Sequence, residues 1–204
     1  MGNRTRMAGL SMVELMVTIT VLAILMAVAV PSFRAVMNRG NVATAMNSLN
    51  ADMQFARGQA SSQHRFVSIC RSLSGTGCDV AGSSPFDYDV GWLVYSYDVS
   101  STGANQAYSG TGAGMTILRY TPKIRGVSIR ATDGKVFTFN QTGQFVTGTG
   151  RTTLTFIACA RKNVDNTDGT VGLNVAGMQG SSLVLRQSGS LTVTQLPLGS
   201  ACTP

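Results

Sequence analysis

Glu14 is the only charge in the twenty-one residues 10–30, whose polar members are otherwise small Ser and Thr. An ionised carboxylate in such surroundings costs several kcal/mol unless it finds a partner. It needs either a cation or a wet interface, where the positive end of its own helix also favours it. Four cysteines, Cys70, Cys78, Cys159 and Cys202, offer disulfides in three connectivities, or a metal site if histidine helps. The single His64 and the wide spacings speak against a metal, and no cofactor is expected. Asp87 and Asp89 are the one close acidic pair, and as alternate residues entering a strand they are expected to face solvent or a turn. Catalysis by a base or nucleophile needs convergent His, Cys or carboxylate groups, and their scatter points away from an enzyme. The Gly-rich 109–114 lacks the Lys and the following helix of a nucleotide loop.

The run that holds Glu14 sets the rest of the layout. At about 1.5 Å of rise per residue, twenty-one helical residues reach ~30 Å, the thickness of a bilayer's hydrocarbon core. Arg4 and Arg6 precede it, which places that end in the cytoplasm and everything after Val30 outside. All four cysteines then lie in an oxidising compartment, where an even count reads as disulfides. Cys70 with Cys78 would close a small loop, and Cys159 with Cys202 would pin the C-terminus. The formal charge is +7, and its basic side is thirteen Arg against three Lys, a balance suited to phosphate if the cations cluster.

Beyond the run, Pro31 is expected to kink the helix and Gly40 to soften it. Then the pattern becomes one-sided. Val42, Met46, Leu49, Met53, Ala56 and Ala60 recur in steps of four and three, while Asn47, Asn50, Asp52, Gln54 and Arg57 take the polar faces. This stripe should lie on a sheet of the same chain, and a coiled-coil seam competes only weakly over so few heptads. The helix should end near 61–65, where His64 and Arg65 could meet its negative end. From there, β-branched and aromatic runs alternate with Gly, Ser, Asn and Asp, the texture of an all-β head. The runs are 66–70, 90–97, 116–120, 126–130, 136–139, 153–159, 183–186 and 191–196, with Asp133-Gly134 reading as a hairpin turn between two of them. Long Gly-rich loops at 100–114 and 163–182 are expected to be mobile or functional.

Ala8-Gly9 followed by Leu10-Ser11-Met12-Val13-Glu14-Leu15 resembles the type IV prepilin family, whose leader ends in Gly and whose mature chain carries Glu at its fifth position. Leu10 replaces the family's usual Phe, and Met12 stands where Leu is common. In the head, Ile69-Cys70-Arg71-Ser72 with Gly77-Cys78 and Val90-Gly91-Trp92-Leu93-Val94-Tyr95 followed by Asp98 resemble the GspH/FimT-type minor pilins and pseudopilins. Phe139 with Gly143, and Leu183-Val184-Leu185-Arg186 leading to Gly189, also sit where that family has strand and turn residues. Trp92 reads equally as the largest core residue of a sheet.

The resemblance implies an α+β fold: a long N-terminal α-helix, membrane-spanning in its first half and amphipathic in its second, packed on an all-β globular head. It implies a leader at 1–9, a transmembrane and filament-core helix at 10–33, a helical extension at 34–64 and a head at 65–204. Cleavage after Gly9 and N-methylation of Leu10 by prepilin peptidase would leave 14 basic against nine acidic residues, or +5. The new α-amine would pair with Glu14 of a neighbouring subunit. The expected setting is the bacterial inner membrane, a single pass with the head in the periplasm, and then a type IV pilus tip or a pseudopilus. Partners would be other major and minor pilins or pseudopilins, the assembly platform of the inner membrane and, before assembly, the lipid bilayer.

Alternatives are a type II secretion pseudopilin H, a membrane-anchored extracellular binding module with an intact leader, and a DNA-binding minor pilin of natural transformation. DNA-binding relatives share a basic Gly-Arg-x-Arg element, and here the corresponding Gly189-Ser190-Leu191-Thr192 lacks both arginines. Candidate DNA contacts are then Arg119, Lys123, Arg125 and Arg130, and separately Arg151, Arg161 and Lys162.

Overall fold

The computed structural model describes residues 11–80, 86–99, 103–110, 114–147, 151–162 and 170–204. They form two compact units, Met1–Met37 and Asn38–Pro204. One helix, α1 (Met12–Gln63), belongs to both and stays helical through Pro31 and Gly40. It stops at His64, whose φ of 53° is left-handed and turns the chain out of the helix.

The strands are β1 (Phe66–Arg71), β2 (Gly91–Tyr97), β3 (Thr116–Pro122), β4 (Val127–Ala131), β5 (Phe137–Phe139), β6 (Thr153–Ala160), β7 (Ser181–Arg186) and β8 (Leu191–Gln195). They build two antiparallel sheets, ordered β3-β2-β1-β5 and β4-β6-β7-β8. Each of the eight runs read from the sequence overlaps one strand, because β-branched and aromatic side chains fit a pleated surface. Asp133-Gly134, however, makes no hairpin: β4 before it and β5 after it lie in different sheets. Thr132 still donates its amide to Thr155 of β6 at 2.9 Å. Asp133 then caps Lys135 at 2.9 Å and pairs with Arg151 at 2.8 Å, so the turn is a crossover between sheets. Turn chemistry reverses a chain locally, and strand pairing is decided by packing further away.

All six residues of the helical stripe are buried. They share one core with Val67, Ile69, Trp92, Val94, Phe137 and Phe139 of the first sheet and with Ile129, Leu154, Phe156, Leu183 and Leu185 of the second. The alternate residues of β2, Leu93, Tyr95 and Tyr97, point to the opposite face and form a second cluster with Cys70 and Val136. Segment 103–110 covers that face. Tyr108 packs edge-on against Tyr95 at 5.4 Å, Tyr95 donates its hydroxyl to Gln106, and the Asn105 amide reaches Thr138 at 2.9 Å. The described part of the 100–114 loop is thus a lid on the sheet, which is why all of β2 is buried.

Both disulfides staple such outer layers. Cys70–Cys78 ties β1 to the segment whose Cys78 amide bonds Tyr108 at 3.4 Å. Cys159–Cys202 ties β6 to the C-terminal residues and joins Ile157 and Leu196 in a third cluster. By loop entropy these closures, separated by 8 and 43 residues, contribute about 2.5 and about 4 kcal/mol.

Candidate functional site

The first unit carries the sequence's most demanding charge. Glu14 sits in the first turn of α1, and around it Met12, Val13, Leu15, Met16, Val17, Ile19 and Val21 are all more than half exposed. Thr18 and Thr20 return their hydroxyls to the carbonyls of Leu15 and Met16 at 2.8 and 2.7 Å. Their polarity is spent inside the helix. What remains outward is hydrocarbon and one carboxylate, with a mean hydropathy of 2.5 over the most apolar window, none of it buried within this chain. Length and composition suffice to cross a bilayer. Gly9 and Leu10 lie outside the described residues.

In the second unit the same helix supplies a different carboxylate. Asp52, read from the sequence as a polar-face residue, is buried. It accepts from Trp92 Nε1 at 2.8 Å, Thr121 Oγ1 at 2.7 Å and Arg119 Nη1 at 3.0 Å. Arg119 also lies 3.7 Å over the Phe55 ring. The node therefore fixes the helix against β2 and β3. Trp92 is a core residue and also a directed donor, which answers why Gly-Trp opens this strand. Gly91 has φ 121°, and a Cβ there would stand 2.8 Å from the carbonyl oxygens of Ser72 and Thr121. Only glycine lets β1 and β3 close in on the tryptophan's strand.

A second node holds the sheets together. Asp87 and Asp89 do occupy the turn ahead of β2, yet both are buried rather than solvated. Arg71 at the end of β1 gives Nε to Asp87 Oδ1 at 2.7 Å. Arg130 of β4 reaches Asp89 at 2.9 Å, and Arg161 reaches the other oxygen at 2.5 Å. Burial pushes the Asp87 carboxyl above its ordinary range, against the pull of Arg71 and with the repulsion of Asp89. Glycines marked by the resemblance meet in a third place. A Cβ on Gly189 would lie 2.2 Å from the Gly143 carbonyl oxygen, and Arg57 of α1 donates to the Gly189 carbonyl at 3.0 Å. Arg57, too, leaves the polar face for the head.

These nodes absorb most of the cations read as DNA contacts. Arg130 and Arg161 are buried in ion pairs, which removes them from any DNA-facing surface. Arg151 is held by Asp133 and by the Val136 carbonyl at 2.9 Å, and its burial pushes the guanidinium below its usual range while Asp133 opposes that. Arg119 is half-exposed but bound to Asp52. Lys123, Arg125 and Lys162 are exposed. Arg65 leaves the helix end to pair with Asp98 at 2.9 Å, so the acidic residue after the Gly-Trp strand anchors the helix exit. Sequence reading missed all the nodes: their bonded members lie 16 to 132 residues apart, and a partner at such range leaves no periodic signal. Among the described residues no group of three or more His, Cys, Asp or Glu is placed to hold a metal ion.

A long helix with an unpartnered apolar half, carrying a stapled head of two antiparallel sheets, defines a pilin-like subunit. The chain belongs to the GspH family: the model for the type II transport protein GspH matches residues 45–177. That for the prokaryotic N-terminal methylation motif matches 4–30. Among curated proteins none matches. Among solved structures, the chain is similar to the type IV minor pilin FimU of Pseudomonas aeruginosa, with 22% identity over 80% of this chain and 96% of that one and a TM-score of 0.49. It is also similar to the minor pseudopilin EpsH from the type 2 secretion system of Vibrio cholerae, with 7% identity over 76% of this chain and 96% of that one and a TM-score of 0.39. The protein is accordingly a GspH-family chain with a prokaryotic N-terminal methylation motif and one helix long and apolar enough to cross a membrane.

Proposed function

We propose that the chain is made as a precursor, trimmed after Gly9 and N-methylated on Leu10 by prepilin peptidase. It is anchored in the inner membrane with its head in the periplasm, and then drawn by the assembly platform into a type IV pilus tip or pseudopilus. Residues 1–9 are the leader, 10–33 the anchor and later the filament core, 34–64 the extension and 65–204 the head. Its role is structural. The observation that carries this reading is Glu14, the one charge between Ser11 and Phe33 on a helix whose apolar side chains are exposed. In the membrane its carboxylate needs the interface or a cation, and the freed α-amine of a neighbouring subunit supplies one as lipid is exchanged for packed helices. Intact-mass analysis of the protein from its native membrane should give a chain beginning at methylated Leu10. An intact leader through Gly9 would overturn the proposal in favour of an anchored extracellular binding module.

A second reading, a pseudopilin H working in protein secretion, is favoured by the type II transport description of the matched family. Deleting the gene and assaying secreted enzymes against pilus-dependent surface motility separates the two. A DNA-binding role keeps Lys123, Arg125 and Lys162 as exposed contacts, with Arg119 half-exposed and engaged by Asp52.

A further inference from the structure

The two sheets end on β3, β5, β4 and β8, and three of these edges are guarded. Residues 86–88 lie along β4, with the Tyr88 amide on the Ile129 carbonyl at 2.9 Å and the Ala131 amide on the Phe86 carbonyl at 2.8 Å. Beyond β5, Phe145 bridges Phe139, and the Val146 amide reaches the Thr138 carbonyl at 2.8 Å. β3 carries Arg119, ends on Pro122 and is bulged at Leu118, the residue left over where its register with Val94 and Tyr95 shifts. Charge, proline and bulge all keep a foreign strand off an edge. β8 has none of them. Its residues, Leu-Thr-Val-Thr-Gln, are uncharged, 192–195 are exposed, and among the described residues no strand besides β7 pairs with it.

The ladder to β7 fixes which backbone groups are left over. The Arg186 amide donates to the Ser190 carbonyl and the Leu196 amide to the Gly180 carbonyl, each at 3.0 Å. Antiparallel bonding recurs at every second residue, so Thr192 and Thr194 spend their backbone groups on Val184 and Ser182. The amides and carbonyls of Leu191, Val193 and Gln195 then point outward, a template for another strand. A guanidinium stands near each end. Exposed Arg39 lines a cavity of about 330 Å³ together with Gln195, and exposed Arg186 precedes the turn into β8. Neither has an acidic partner among the described residues.

This charge decides the occupant. Two copies joined edge to edge would set Arg39 of one by Arg186 of the other if antiparallel, and each by its own counterpart if parallel. Like charges meet either way, at a cost to the pairing. We infer that β8 accepts, by strand addition, an extended segment of another pilin-like subunit, about five uncharged residues with an Asp or Glu at each end. The contact belongs to the assembled filament or pseudopilus, and the inference rests on the structural role proposed above.

The test places the photo-cross-linker p-benzoyl-phenylalanine at the exposed position of Thr192 in the full chain, expressed in cells that assemble filaments or pseudopili. Mass spectrometry of the cross-linked peptide should return one segment of another subunit, β-branched in character and flanked by Asp or Glu. Val193→Pro removes an outward amide and no bond to β7, so the head's unfolding midpoint should hold while the cross-link falls about tenfold. Arg39→Glu, Arg186→Glu changes only exposed side chains and should also weaken the cross-link about tenfold, whereas Arg39→Lys, Arg186→Lys should keep about half of it or more. Should the Pro variant fail to fold, the Glu pair decides by itself. In an incorporated chain, a cross-link to a second copy, to lipid alone or to nothing overturns the inference alone. So does a cross-link that the Glu variant leaves unchanged. A chain that keeps its leader and enters no filament or pseudopilus overturns the subunit reading and this inference with it.

Discussion

Glu14 and Asp52 are carboxylates of the same helix, yet Glu14 lies among exposed apolar side chains and Asp52 is buried with Trp92, Thr121 and Arg119 as donors. The difference separates two uses of one element. Around Asp52 the helix is one-sided, and its stripe is buried in the core of its own chain. Around Glu14 it is apolar on every side and nothing of it is buried within the chain. A carboxylate with three internal donors is part of the fold; one left among hydrocarbon is, in the function proposed above, kept for a neighbouring subunit.

The sharpest way to break this contrast is at the most deeply buried acid among the head's described residues. Asp89→Ala strands the Arg161 guanidinium without its carboxylate and leaves Arg130 only Asp87 at 3.6 Å. Urea unfolding should show a loss of about 3–5 kcal/mol or a head that fails to fold; a loss under about 1 kcal/mol would mean that water solvates this cluster. Next comes Asp52→Ala, which leaves the Trp92 indole N–H and the Thr121 hydroxyl unpaired and should cost about 1–3 kcal/mol. Since Trp92 is the only tryptophan and fully buried, its fluorescence should shift to the red as the helix loosens; an unchanged spectrum and midpoint would show that apolar packing alone holds helix to sheet.

A smaller effect is expected at Asp87, whose carboxyl is pushed above its ordinary 3.8 by burial. The sign follows from proton counts. Between 3.8 and the raised value the folded head binds more protons than the unfolded chain, so this group's contribution is full below 3.8 and declines as pH rises through the window. Asp87→Asn should remove that decline from a plot of unfolding free energy against pH; an identical slope in the variant would assign it to another group.

Much of this division was legible in the residues themselves. The apolar run, the stripe from Val42 to Ala60 and the eight strand-forming runs are periodic features, and each reports the side of an element that avoids water. Gly9 and Glu14, with the Gly91-Trp92 strand, pointed to the family because both are local motifs. What could not be read was polar pairing at long range. Asp52 looked like one more polar residue of an amphipathic helix, and Asp87 and Asp89 looked solvated, because the groups that make their burial affordable come from strands far along the chain. Arg130 and Arg161 were misread as surface cations for the same reason. Asp133-Gly134 has the chemistry of a hairpin turn, and only the assignment of β4 and β5 to different sheets showed that it crosses between layers.

The central claim is that Glu14 serves assembly while the head's own acids serve folding, and one variant tests it most directly. Glu14→Ala should keep the head's unfolding midpoint within about 0.5 kcal/mol of wild type and leave the protein in the membrane with its leader removed. Measured by quantitative immunoblot of sheared filaments or cross-linked pseudopili, its incorporation should fall at least about tenfold, the effect of losing one buried ion pair worth 1.4 kcal/mol or more. Normal incorporation of a properly folded and processed Glu14→Ala chain would contradict the account.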